Sequence, residues 1–147
     1  MRLLAIVFAA LLLGGCGSDQ KKDPRSRTVP GPSDLQIAFT WSGGFVGRDD
    51  RLDIRPDGAA RLTTRSGGKT FQLTPSEVDQ LRRLIGAADL KNAPQPKEPQ
   101  GVADGFLYSI TYDGRTITYG DGGEAPPPHV YELGAFLSKL IELHSSP

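Results

Sequence analysis

Apolar side chains at Leu35, Ile37, Phe39 and Trp41 alternate with Gln36, Ala38 and Thr40, a period of two that predicts a strand with one buried face. Leu52 and Ile54 alternate with charged residues in a second strand, and Ala60, Leu62 and Thr64 continue as a third. Between these two, Pro56-Asp57-Gly58 has turn chemistry, because Pro presets one φ angle and Gly accepts a positive one. Ser66-Gly67-Gly68-Lys69 reads as another turn, after which Phe71 and Leu73 face inward. The period then changes. Thr74 suits an N-cap, Pro75 the first helical position, and Glu77 closes a capping box. Val78, Leu81, Leu84, Ile85 and Ala88 form the apolar stripe of a helix that should end between Gly86 and Asp89. After an irregular stretch from Lys91 to Asp104, the alternation returns at Phe106, Tyr108, Ile110 and Tyr112. Asp113-Gly114 favours a two-residue type I′ turn, which would pair Tyr112 with Arg115, Ile110 with Ile117 and Tyr108 with Tyr119. A Gly- and Pro-rich loop follows, and Val130, Leu133, Leu137, Leu140 and Ile141 mark a final helix from His129 to His144. The order β-β-β-α-β-β-α, with hairpins and segregated helices, predicts an α+β fold: an antiparallel sheet with two helices packed on one face.

The N-terminal pattern is of another kind. Arg2 precedes an unbroken apolar run from Leu3 to Leu13, closed by Gly14, Gly15 and Cys16. A positive start, a short apolar run and small residues at its end make a secretory signal peptide, and the run falls short of the ~20 residues that span a bilayer. Leu13-Gly14-Gly15-Cys16 resembles the lipobox of bacterial lipoproteins. That resemblance implies removal of residues 1–15 and lipidation of Cys16, whose thiolate accepts a diacylglyceryl group. Several acyl chains on one residue anchor a protein stably where a single chain does not. The alternative is an ordinary signal peptide with a stray thiol, or a short buried helix. Cys16 is the only cysteine, so no disulfide can form within the chain. Residues 16–33 hold three prolines and one larger apolar residue, Val29, too little to offset the entropy of ordering. They read as a disordered tether with a reach on the order of 50 Å when extended. The globular domain is expected over residues 34–147.

Composition narrows the partners. Loss of Arg2 turns 17 Lys+Arg against 17 Asp+Glu into a single net negative charge, which draws the domain neither to nucleic acid nor to anionic headgroups. The expected partners are a membrane, through lipid on Cys16, and another protein. The expected location is the cell envelope, facing the extracytoplasmic side, with the domain a monomer. Chemistry is sparse. There is no Gly-x-Ser-x-Gly elbow and no Cys/His zinc spacing. His129 and His144, the only histidines, read as surface residues. Asp121-Gly122-Gly123-Glu124, with Asp49 and Asp50, could offer oxygens to Ca²⁺, but the spacing departs from a calcium loop and an acidic turn is the simpler reading. Ser66–Lys69 lacks the rest of a phosphate loop. No cofactor and no enzymatic activity are expected.

Ser42-Gly43-Gly44-Phe45-Val46-Gly47 remains. Its glycines free the backbone for positive φ where a strand should turn. One reading tucks Phe45 into the core, and the other projects Phe45 towards a partner.

Together with Leu73-Thr74 opening a helix that carries Leu81, Leu84 and Ala87-Ala88, Asp104-Gly105-Phe106-x-Tyr108, the strand Arg115 to Tyr119, the acidic Gly loop at Asp121 and the Leu-rich last helix, this segment resembles emfourin. Emfourin is the small protein inhibitor of thermolysin-like zinc metalloproteases of the protealysin type. The resemblance spans roughly Leu35 to Leu143. It implies protein binding, with Ser42, Gly43, Gly44, Phe45 and Gly47 as the contact loop. Emfourin-type inhibitors are mostly short proteins without an export signal, and the lipobox sets this chain apart. An accessory or structural envelope lipoprotein without inhibitory activity is the alternative.

Overall fold

In a computed structural model the chain is described over residues 35–100 and 104–145. Cys16, the leader over 1–15, the tether over 16–33 and the expected domain start at residue 34 lie outside the described residues. Six strands and two helices follow in the order β1 (Ile37–Gly43), β2 (Arg48–Ile54), β3 (Ala59–Thr64), β4 (Gly67–Gln72), α1 (Pro75–Ala88), β5 (Phe106–Tyr112), β6 (Arg115–Gly120) and α2 (Pro128–Ser145). The strands form one antiparallel sheet in the order β4-β3-β2-β1-β5-β6. The fold is α+β.

The alternation carries through to burial. Ile37, Phe39, Trp41, Leu52, Ile54, Ala60, Leu62, Ile110, Ile117 and Tyr119 share one core with Leu81, Ile85 and Ala88 of α1 and with Val130, Leu133, Leu137, Leu140 and Ile141 of α2. Both helices therefore cover the same face. The opposite face is polar, with Ser109 and Thr118 (3.1 Å) and Thr111 and Thr116 (2.8 Å) bonded across strands. α2 crosses closely because residue 134 is glycine: a Cβ there would run into the Tyr119 hydroxyl.

Local signals set the α1 start and the last hairpin. The Thr74 hydroxyl accepts from Glu77 N at 3.3 Å, and Thr74 N donates back to Glu77 Oε2 at 2.7 Å, the reciprocal capping box. α1 stops at Asp89, which is left-handed at φ 42°. Asp113 and Gly114 have φ of 48° and 75°, as a type I′ turn requires, and Tyr112↔Arg115, Ile110↔Ile117 and Tyr108↔Tyr119 are the pairs formed.

One element exceeds the expectation. Gly67–Lys69 is part of a fourth strand, paired with β3 along Thr64↔Gly67 to Ala59↔Gln72, and the turn is confined to Arg65 and Ser66. Glycines carry little strand preference of their own, so β3 as a pairing template decides this segment. Phe71 is half-buried and Leu73 buried, as the alternation predicts.

The sheet has two unlike edges. The chain following α1 runs along β6: Gln95 donates to the Thr118 carbonyl (3.0 Å), Arg115 donates to the Lys91 and Ala93 carbonyls, and Lys97 and Glu124 are bonded to each other. β4 is the opposite edge.

Candidate functional site

The β1–β2 hairpin closes beyond the pair Gly43↔Arg48. Gly47 N donates to the Gly44 carbonyl at 2.9 Å, so Phe45 and Val46 are the central residues of a four-residue turn. Gly43, Gly44 and Gly47 have φ of 93°, 71° and 62°. Glycine is required at the first two for a second reason. A Cβ on Gly43 would strike the Gly105 carbonyl oxygen, and one on Gly44 would enter the Phe106 ring. The turn is fastened on both sides. Gly44 N donates to Gly105 O at 3.1 Å, at the entry to β5. Arg65, from the β3–β4 turn, donates through one guanidinium nitrogen to Val46 O (3.1 Å) and Gly47 O (2.7 Å).

Phe45 is 91% exposed and Val46 77%. The expectation that Phe45 tucks into the core is thus overturned, and the projecting loop is what forms. The physical reason is that the space beneath the turn is already filled: Gly44 lies against Phe106, which belongs to the core periphery. Ser42 and Gly43 are the last residues of β1 and Gly44 to Gly47 the turn, so the predicted contact residues are brought together.

Under the turn lies a row of rings. Trp41 meets Phe106 edge-on and Tyr108 at a tilt, both at 5.7 Å, and Tyr108 stacks on Tyr119 at 5.3 Å. The Arg48 guanidinium sits 3.4 Å from the centre of the Trp41 ring and is ion-paired with Asp50. Asp50, 7% exposed, is the buried charged residue among those described. Trp41 Nε1 is buried without a hydrogen-bond partner. Burial first, then the nearby Tyr108 and Tyr131, pushes the Tyr119 phenol well above its ordinary value. Tyr108 is also raised, by burial first and then by Asp121.

Sequence reasoning missed the half-buried Arg48–Asp50 pair and the Arg65 latch. A signal for the first existed: Arg48 and Asp50 have the same parity as Leu52 and Ile54, so two charges fall on the apolar face. Arg65 had none, since it lies 18 residues from Gly47 in the chain.

The other candidates stay apart. His129 bonds Glu132 at 3.3 Å on the first turn of α2, while His144 stacks on Phe71 at 3.6 Å near its end. Fifteen helical residues separate them by roughly 22 Å. Asp121 accepts from Phe106 N at 3.0 Å, Glu124 from Lys97 N at 3.0 Å, and Asp50 is held by Arg48. Among the described residues, no group of three or more His, Cys, Asp or Glu is placed to hold a metal ion. Among them, too, no helix is long and apolar enough to cross a membrane. An open groove of about 820 Å³ lies at the other end of the sheet, lined by residues that include Arg51, Asp53, Asp89 and Lys91. Arg51 and Asp53 bind each other there, with contacts down to 2.7 Å.

No family model matches this chain, and no curated protein matches it.

Proposed function

We propose that this chain is a lipid-anchored protein of the bacterial cell envelope whose α+β domain is a protein-binding module rather than an enzyme. The β1–β2 tip is its contact element, and inhibition of a thermolysin-like zinc metalloprotease is its activity. One observation carries the binding role: Phe45 and Val46 stand exposed on a backbone held by Gly105, Phe106 and Arg65. A prearranged loop loses little freedom when it enters a cleft, so more of its contact energy appears as affinity. A large apolar side chain on such a loop is the usual anchor of an interface. The Leu13–Cys16 motif supports the anchor, and the resemblance to emfourin supports the choice of target.

The test is titration of the full-length chain against several thermolysin-like metalloproteases. Stoichiometric loss of peptidase activity is the expected result. Unchanged activity under an excess of the chain, across all of them, would leave a non-inhibitory accessory lipoprotein as the reading. The anchor is tested separately, by mass measurement of the wild type and Cys16→Ser. The wild type should gain the mass of its acyl chains and the variant should not.

A further inference from the structure

We infer that the Phe45–Val46 tip docks into an apolar pocket of a partner protein whose border is basic, and that it does not enter the bilayer. This rests on the reading of the domain as a protein-binding module and adds the chemistry of the partner.

The charges around the tip give the first argument. Asp49 follows the turn on β2, Asp104 precedes the Gly105 carbonyl that holds Gly44, and Asp121 is bonded to Phe106 N. All three are exposed. Of the cations at this end, Arg48 is engaged with Asp50 and Arg65 with the Val46 and Gly47 carbonyls. The segment Ser42 to Gly47 has no charge of its own. An uncharged apolar knob with three exposed carboxylates on the segments beside it is complementary to an apolar pocket bordered by Lys or Arg. An anionic bilayer surface attracts the opposite arrangement, with free basic side chains around the apolar residues.

The path of the chain gives the second argument. The described chain begins at Leu35, immediately before β1, and the tip closes the far end of that strand. The seven residues of β1 separate the two ends by about 23 Å. The tip thus lies at the end of the domain opposite the entry of the described chain, and the path of the chain does not itself bring the tip to the surface that holds the anchor.

The test places a benzophenone side chain at position 45 of the full-length chain, with Gln80 on the exposed surface of α1 as the control position, and irradiates the cells that produce it. The expected product is a protein crosslink from position 45, at least about tenfold stronger than from position 80. It should map to an apolar pocket bordered by Lys or Arg. Its yield should fall at least about fivefold when Asp49→Lys and Asp104→Lys are combined, and likewise when isolated envelopes are irradiated at about 0.5 M salt. The salt arm needs no charge variant, so a folding defect in the double variant leaves the test standing. Crosslinks to phospholipid, equal yields from both positions, or a yield indifferent to salt would overturn the inference. A basic-rimmed partner that is not a metalloprotease would remove the inhibitor assignment and leave this inference intact. Inhibition of a metalloprotease combined with lipid crosslinks from position 45 would do the reverse.

Discussion

Two hairpins of the same sheet end in turns of opposite character. The β5–β6 hairpin closes on Asp113 and Gly114, both exposed and both at positive φ, and a Cβ on Gly114 would meet nothing within 4 Å. Its turn is made by local chemistry, with Asp113 ion-paired to Lys91 at 2.5 Å. The β1–β2 hairpin closes on Phe45 and Val46, which local turn chemistry does not call for. It is held instead by three distant groups, the Gly105 carbonyl, the Phe106 ring and the Arg65 guanidinium. A tip that is both apolar and fastened leaves large side chains in water and depends on distant groups to hold it, and the proposed contact with a partner would bury those side chains. A tip that is only a turn needs no such fastening.

Substituting the glycines tests this difference most strongly. Gly43→Ala meets a backbone oxygen at φ 93° and should lower stability by about 2 kcal/mol or more, measured by urea unfolding. Gly114→Ala pays only the cost of its φ of 75°, about 1 kcal/mol. Equal losses at the two sites would erase the contrast between the turns. Phe45→Ala should leave stability within about 0.5 kcal/mol while weakening partner binding at least about tenfold, which separates a contact residue from a packing residue. Next in size comes Arg65→Ala. Its bonds to the tip are exposed, so stability should fall by about 1 kcal/mol or less, and faster amide exchange should be confined to the β1–β2 turn.

A pH series sharpens the comparison further. The Tyr119 phenol is raised in the folded domain, so its contribution to stability is complete below the unfolded value of 10.0 and declines as pH climbs from there towards the higher folded value. Above pH 10 the unfolded chain releases this proton first, and stability should drop. Tyr119→Phe should remove part of that alkaline loss and change nothing in the pH dependence near neutrality. Because Tyr119 stacks with Tyr108 beneath the β1–β2 end, alkaline exchange should loosen that end before the Asp113-Gly114 turn.

Much of the fold was legible because its causes are local. The period-two runs, the Thr74–Glu77 box and the Asp113-Gly114 turn each act within a few residues, so element type, helix start and one hairpin register followed from neighbours in the chain. The candidate loop was legible as a break in a strand, and its glycines as a sign of positive φ. Where Phe45 went was not, because the answer lay in Phe106, some sixty residues on.

By itself, the amino-acid order determined five of the six strands, both helices, the faces they bury, and the Leu-Gly-Gly-Cys motif that supports an anchor. Only the tertiary structure decided that Gly67–Lys69 joins the sheet, that β1 lies between β2 and β5, and that Arg65 latches an exposed Phe45–Val46 turn. Periodicity and capping are short-range interactions written into adjacent residues. Strand order, edge pairing and the filling of space beneath a loop depend on segments that meet only once the chain has closed on itself.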